Sequence, residues 1–137
     1  MKKRLTGVLR ICVAMVAGHV LSAYAQQDSA LSEADPVGVY ALVSVNGIPV
    51  PANISHEGNA LQVRSGTFTI NGDGTCSTKT VFVPPSGTEV AREVGATYTR
   101  DGSRLTMQWK GAGRTVGTIR GDTFIMNNEG MVFVYRR

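Results

Sequence analysis

The chain has 137 residues, 42% of them hydrophobic, with 14 Lys and Arg against 10 Asp and Glu. Lys2, Lys3, Arg4 and Arg10 fall at its very start, so the rest carries ten basic residues against ten acidic ones, scattered singly. A near-neutral body with no basic run excludes an electrostatic interface for nucleic acid or an acidic membrane surface, and its length suits one domain.

The chain opens on a basic start, an apolar run over residues 11–21, and the small-x-small triplet Ala23-Tyr24-Ala25. That order describes an export signal over residues 1–25, cleaved so that the mature chain begins near Gln26 in the periplasm or outside the cell. The apolar run is too short to span a bilayer. Cys12 follows Arg10 and Ile11, where a lipidation site wants small residues, so neither feature supplies a stable membrane anchor. Cys76 is then the only cysteine of the mature chain, which rules out an internal disulfide.

Residues 26–36 are polar and end in Pro36, which predicts a flexible lead-in to a domain over 37–137. An apolar, β-rich run at 37–45 is broken by Asn46-Gly47, Pro49 and Pro51. Residues 53–58 read as a loop. Strands at 61–63 and 67–70 flank Gly66, and their apolar parity changes there, which predicts a bulge or sharp bend. Asn71-Gly72-Asp73-Gly74 turns the chain into a strand over 75–83. A strand over 89–100 turns at Asp101-Gly102, pairing Tyr98 with Leu105, Ala96 with Met107 and Val94 with Trp109. Gly111-Ala112-Gly113 then places Trp109 opposite Thr115 and Met107 opposite Gly117. Gly121-Asp122 pairs Ile119 with Phe124, and the turn at 127–130 pairs Phe124 with Phe133 and Met126 with Met131.

Paired residues share a face. One inner face results: Phe68, Ile70, Val94, Ala96, Tyr98, Leu105, Met107, Trp109, Ile119, Phe124, Met126, Met131, Phe133 and Tyr135. The fold class is all-β, a single up-and-down antiparallel meander barrel of about eight strands. Its first and last strands are apolar on both faces, which suits pairing with each other and removes open edges.

Gly38-Val39-Tyr40-Ala41-Leu42-Val43 at the start and Phe133-Val134-Tyr135-Arg136 at the end resemble the calycin arrangement of lipocalins and fatty-acid-binding proteins. Those families open with Gly-x-Trp and carry an Arg on the last strand that packs across the Trp; Tyr40 stands in the Trp position. The segments 44–51, Asp73-Gly74-Thr75 and Gly95-Ala96-Thr97-Tyr98 also resemble bacterial exported lipocalin-like domains. The resemblance implies a barrel that holds a small apolar molecule.

No catalytic motif frames the Ser, His and Asp residues, so no enzyme and no catalytic residues are expected. His56 is the sole histidine after the signal and is read as an exposed loop residue; a metal site needs three or four ligands, so neither metal nor cofactor is expected. Cys76 shares the inward parity of Thr78 and Phe82 and reads as a buried, inert thiol. Arg92 has the parity of Val94, Ala96 and Tyr98. It either points into the barrel, where it would suit a ligand carboxylate, or sits at a bulge or the rim. Tyr98, Met107, Trp109, Met126 and Met131 either line an adaptable apolar pocket or fill a solid core.

The expected function is therefore an exported module binding a small apolar ligand, with Arg92, Tyr98, Met107, Trp109 and Met126 as its ligand-binding residues. The alternative is a protein-interaction barrel resembling the bacterial inhibitors of secreted metalloproteases, whose N-terminal segment enters the protease cleft. Those inhibitors carry a disulfide that this chain cannot form.

Overall fold

The structure is a computed structural model, and it describes residues 35–137. The export signal and nearly all of the lead-in lie outside the described residues. Every regular element is a strand: β1 Gly38–Val45, β2 Ile48–Pro49, β3 Ala52–His56, β4 Asn59–Ile70, β5 Thr75–Val83, β6 Val90–Asp101, β7 Arg104–Trp109, β8 Arg114–Arg120, β9 Thr123–Asn128 and β10 Met131–Arg136. Strands β4 to β10 pair in sequence, all antiparallel, and β1 pairs with both β10 and β4. Eight strands thus close into an up-and-down barrel. The short β2 and β3 extend its sheet beyond β1 and β4.

Residues 53–58, expected as a loop, are instead mostly strand: β3 forms a hairpin with β4 across Glu57-Gly58. Both turn residues have positive φ, 50° and 78°, as a tight two-residue hairpin requires. Ala52 and Ile54 on β3 are buried, an apolar alternation hidden by the polar residues between them. The expected bulge exists but falls between Val63 and Ser65, not at Gly66. Gly66 matters for closeness instead: a Cβ there would meet the Leu42 side chain at 3.1 Å.

Three of the expected hairpins are shifted in register by two residues. Tyr98 faces Met107 and Ala96 faces Trp109, because Gly102-Ser103 makes the turn, with Gly102 at φ 58° in its first central position. Met107 faces Thr115 and Leu105 faces Gly117 across the loop over 110–113. Met126 faces Phe133 and Phe124 faces Tyr135 across Glu129-Gly130. A shift of two keeps every side chain on its own face, so the inner face stands. The Ile119–Phe124 pairing is as expected.

The turns at 71–74, 102–103 and 121–122 gather at one end of the barrel, and those at 84–89, 110–113 and 129–130 at the other. The first end is filled. Phe68 lies 4.5 Å from Phe124 and 5.7 Å from Tyr135, ring centre to ring centre. Tyr40 joins them 6.2 Å from Phe124, its hydroxyl donating to the Pro36 carbonyl at 2.7 Å. Tyr40, Phe68, Leu105, Met107 and Phe124 have no exposed surface. Rings packed at these distances add to the stabilisation from burial itself.

Candidate ligand-binding site

The other end is not filled. Inward positions there carry smaller or more polar side chains: Thr78 and Thr80 on β5, Arg92 and Val94 on β6, and Asn128 at the end of β9. Together with Trp109 and Met126 they line a cleft of about 210 Å³, with Ala112 and Glu129 at its edge. A larger concavity of about 440 Å³, bounded by Pro51, Gln62 and Arg64, lies on the outside of the wall and engages none of the barrel interior.

Strand pairing fixes the cleft wall. Thr80 faces Arg92 and Thr78 faces Val94 across the β5–β6 ladder, and Trp109 closes the next face from β7. The indole is nearly buried, edge-on to Phe68 at 6.3 Å and 88°. Its Nε1 donates to Thr115 Oγ1 at 2.8 Å, and Thr115 Oγ1 donates to Asn128 Oδ1 at 3.3 Å. Thr115 is the buried polar residue of the barrel, 5% exposed. Thr78 Oγ1 is buried and makes no hydrogen bond of ordinary geometry. The Tyr135 phenol is pushed up to about 12 by burial, against a smaller lowering from Thr78.

Charge at the rim is uneven. Arg92 is exposed at the mouth and, among the described residues, makes no ion pair or hydrogen bond. Glu129 is engaged elsewhere, with one carboxylate oxygen 3.5 Å from His56 Nε2; Glu57 approaches the same nitrogen at 3.9 Å. His56 is thus the half-buried end of β3 between two carboxylates, not the exposed loop residue expected. Glu89 lies 3.5 Å from Arg64 on the outer wall.

Of the five residues expected to bind a ligand, Arg92, Trp109 and Met126 converge on the cleft. Met107 is fully buried in the core below it. Tyr98 reaches toward the filled end, its hydroxyl donating to the Asn71 carbonyl at 2.6 Å. Thr78, Thr80, Thr115 and Asn128 were not singled out from sequence. The available signal was parity: Thr78 and Thr80 alternate with Cys76 and Phe82, so two hydroxyls had to point inward.

Cys76 is buried as expected, and burial pushes its thiol up to about 11, which makes it a poor nucleophile. Among the described residues no three His, Cys, Asp or Glu side chains gather as metal ligands.

No family model and no curated protein matches the sequence. A solved structure of an uncharacterized protein from Bacteroides eggerthii is similar in shape, with a TM-score of 0.46 and 14% identity, covering 75% of this chain and 99% of that one.

Proposed function

We propose that this protein is a binding module of lipocalin-like type, acting outside the cytoplasm, that holds a small acid in the open end of its barrel. The observation that carries the reading is an unpaired arginine at the mouth of a cleft whose wall mixes Trp109, Met126 and Val94 with the polar Thr78, Thr80 and Asn128. Trp109, Met126 and Val94 offer the apolar surface, and the planar Arg92 guanidinium is suited to a carboxylate. Ligand pockets usually span about 300–1,000 Å³, and this cleft is about 210 Å³. A short acid therefore suits it better than a long fatty acid. The lipocalin-like reading draws support from Arg137, whose guanidinium sits 5.3 Å from the Tyr40 ring centre. That contact resembles the Arg-over-aromatic packing of the calycin arrangement, made by Arg137 where the sequence had pointed to Arg136.

Trp109 is the only tryptophan, so its fluorescence reports on the cleft wall alone. Hexanoate titrated into the protein should change that emission saturably, with hexanol binding more weakly. Arg92→Met should abolish the preference for the acid while the fold remains intact. No saturable response of the wild type to either probe would refute the reading.

A second reading, a protein-interaction barrel, draws on the outer wall. Val43 on β1, Val132 on β10, Ile125 on β9 and Val116 on β8 are exposed on neighbouring strands. Apolar surface contiguous across strands is a usual feature of protein contacts. Sedimentation of the purified protein, with Ile125→Lys as the control, tests whether that face self-associates.

A further inference from the structure

We propose that the outer wall over β8, β9 and β10 lies against an anionic lipid surface, which makes the barrel a peripheral membrane protein on that side. The proposal does not depend on the cleft. It rests on how strand pairing sorts the charges.

The outward side chains of β8, β9 and β10 are uncharged except for Arg114, Arg120 and Arg136, and none is acidic. Ladder partners place Arg120 and Arg136 on either side of Thr123, in one row at the filled end, with backbones about 10 Å apart. Arg114 lies at the opposite end of β8, about 20 Å along the strand. Between the two ends, Val116 and Val132 flank Asn127, and Ile125 lies beside Val134. Val116, Ile125 and Val132 are exposed. They form an apolar band held between cationic ends.

All three arginines are exposed and, among the described residues, none has an ion pair or hydrogen bond. The acids in the adjoining turns are engaged elsewhere: Asp122 lies 3.4 Å from Arg137, and Glu129 lies 3.5 Å from His56. The opposite wall, over β4, β5 and β6, is built the other way. There Arg64 lies 3.5 Å from Glu89, and Lys79 faces Glu93 across the ladder, so its charges answer one another. Composition averages the two walls to neutrality, and sequence order shows no basic run. Both signals miss a surface that pairing assembles from single residues on β8 and β10, so the exclusion of an acidic membrane surface that they imply does not hold for this wall.

The charge decides among occupants. A second copy would bring arginine against arginine with no acid on the wall to answer it, and like charges across an interface are strongly unfavourable. The wall is the outside of a closed barrel and therefore convex, so its short apolar middle meets a flat surface first. The longer arginines at either end then reach lipid phosphates while their stems cover apolar surface. An anionic headgroup layer supplies both the charge and the flatness.

The test is flotation of the purified protein with vesicles of phosphatidylcholine alone or with about one quarter phosphatidylglycerol. The protein should float with the anionic vesicles and not with the neutral ones. Salt at about 1 M, where the screening length is about 3 Å, should release it. Arg120→Gln combined with Arg136→Gln should weaken binding about thirtyfold. Ile125→Ser should weaken it about threefold by removing apolar surface. Arg64→Gln on the opposite wall is the control and should change nothing. All four side chains are exposed, and circular dichroism checks that each variant folds. Equal flotation with both vesicles, undiminished affinity in the double variant, or no flotation at all overturns the proposal. A dimer in sedimentation that Ile125→Lys disrupts, with no flotation, overturns it in favour of a second copy; the cleft reading stands in each case.

Discussion

The Arg137 guanidinium lies over the Tyr40 ring, 5.3 Å from its centre, and Nη1 donates to the Val37 carbonyl at 2.9 Å. Nε approaches Asp122 Oδ1 at 3.4 Å. One side chain after the last strand thereby joins the start of β1, the β8–β9 turn and the aromatic core, sealing the filled end. The cation over the ring also opposes the upward push that burial gives the Tyr40 phenol. Arg137→Met should cost about 1–2 kcal/mol in denaturant melts, from the lost ring contact and carbonyl hydrogen bond. Tyr40→Phe keeps the ring and loses only the bond to Pro36, for about 1 kcal/mol.

Gly117 gives a sharper packing test. A Cβ there would lie 2.6 Å from Phe124 Cζ and 3.2 Å from the Ile125 carbonyl. Phe124 is fully buried among Phe68, Tyr40 and Tyr135, so the ring has nowhere to retreat. Gly117→Ala should destabilise by about 1–3 kcal/mol, as overpacking does. Gly95→Ala, where a Cβ would come no nearer than 3.9 Å to the Cys76 carbonyl, is the control and should change stability far less.

Trp109→Ala removes a nearly buried indole and should cost about 3–5 kcal/mol. Thr106 faces outward beside it on β7, and Thr106→Ala should be close to silent. Equal small effects at both positions would mean the strand is turned over.

How much of this could be read from the chain varies with the physics. Side-chain alternation has a period of two, so the inner face was legible even where the hairpin register was not. Sliding Tyr98 from Leu105 to Met107 moves no residue to the other face. The register itself depends on which glycine takes the left-handed position, and Asp101-Gly102-Ser103 admits two placements. β3 was missed because Ala52 and Ile54 are its only buried apolar residues. At the site, Arg92, Trp109 and Met126 were legible by parity. Thr115 and Asn128 were not, because the polarity of an inward side chain says nothing of what it bonds until the relay is seen.

Alkaline pH should weaken the fold. The Cys76 thiol is pushed by burial from its ordinary 9.0 to about 11, and the Tyr135 phenol from 10.0 to about 12. Between those values the unfolded chain has released protons that the folded chain still holds. Stability therefore falls as pH rises from about 9 toward 12. Urea melts across that range should show the fall, and Cys76→Ala should make its first part, below pH 11, shallower.

The central claim, that the open end of the barrel is the binding site, is tested most directly by amide chemical-shift mapping of the isotopically labelled protein during hexanoate titration. The expected result is saturable shifts clustered at Thr78, Thr80, Arg92, Val94, Ala112 and Asn128, with Tyr98 and the 71–74 turn unmoved. Shifts confined to the outer wall around Val43, Ile125 and Val132, or no saturable shift at all, would contradict it.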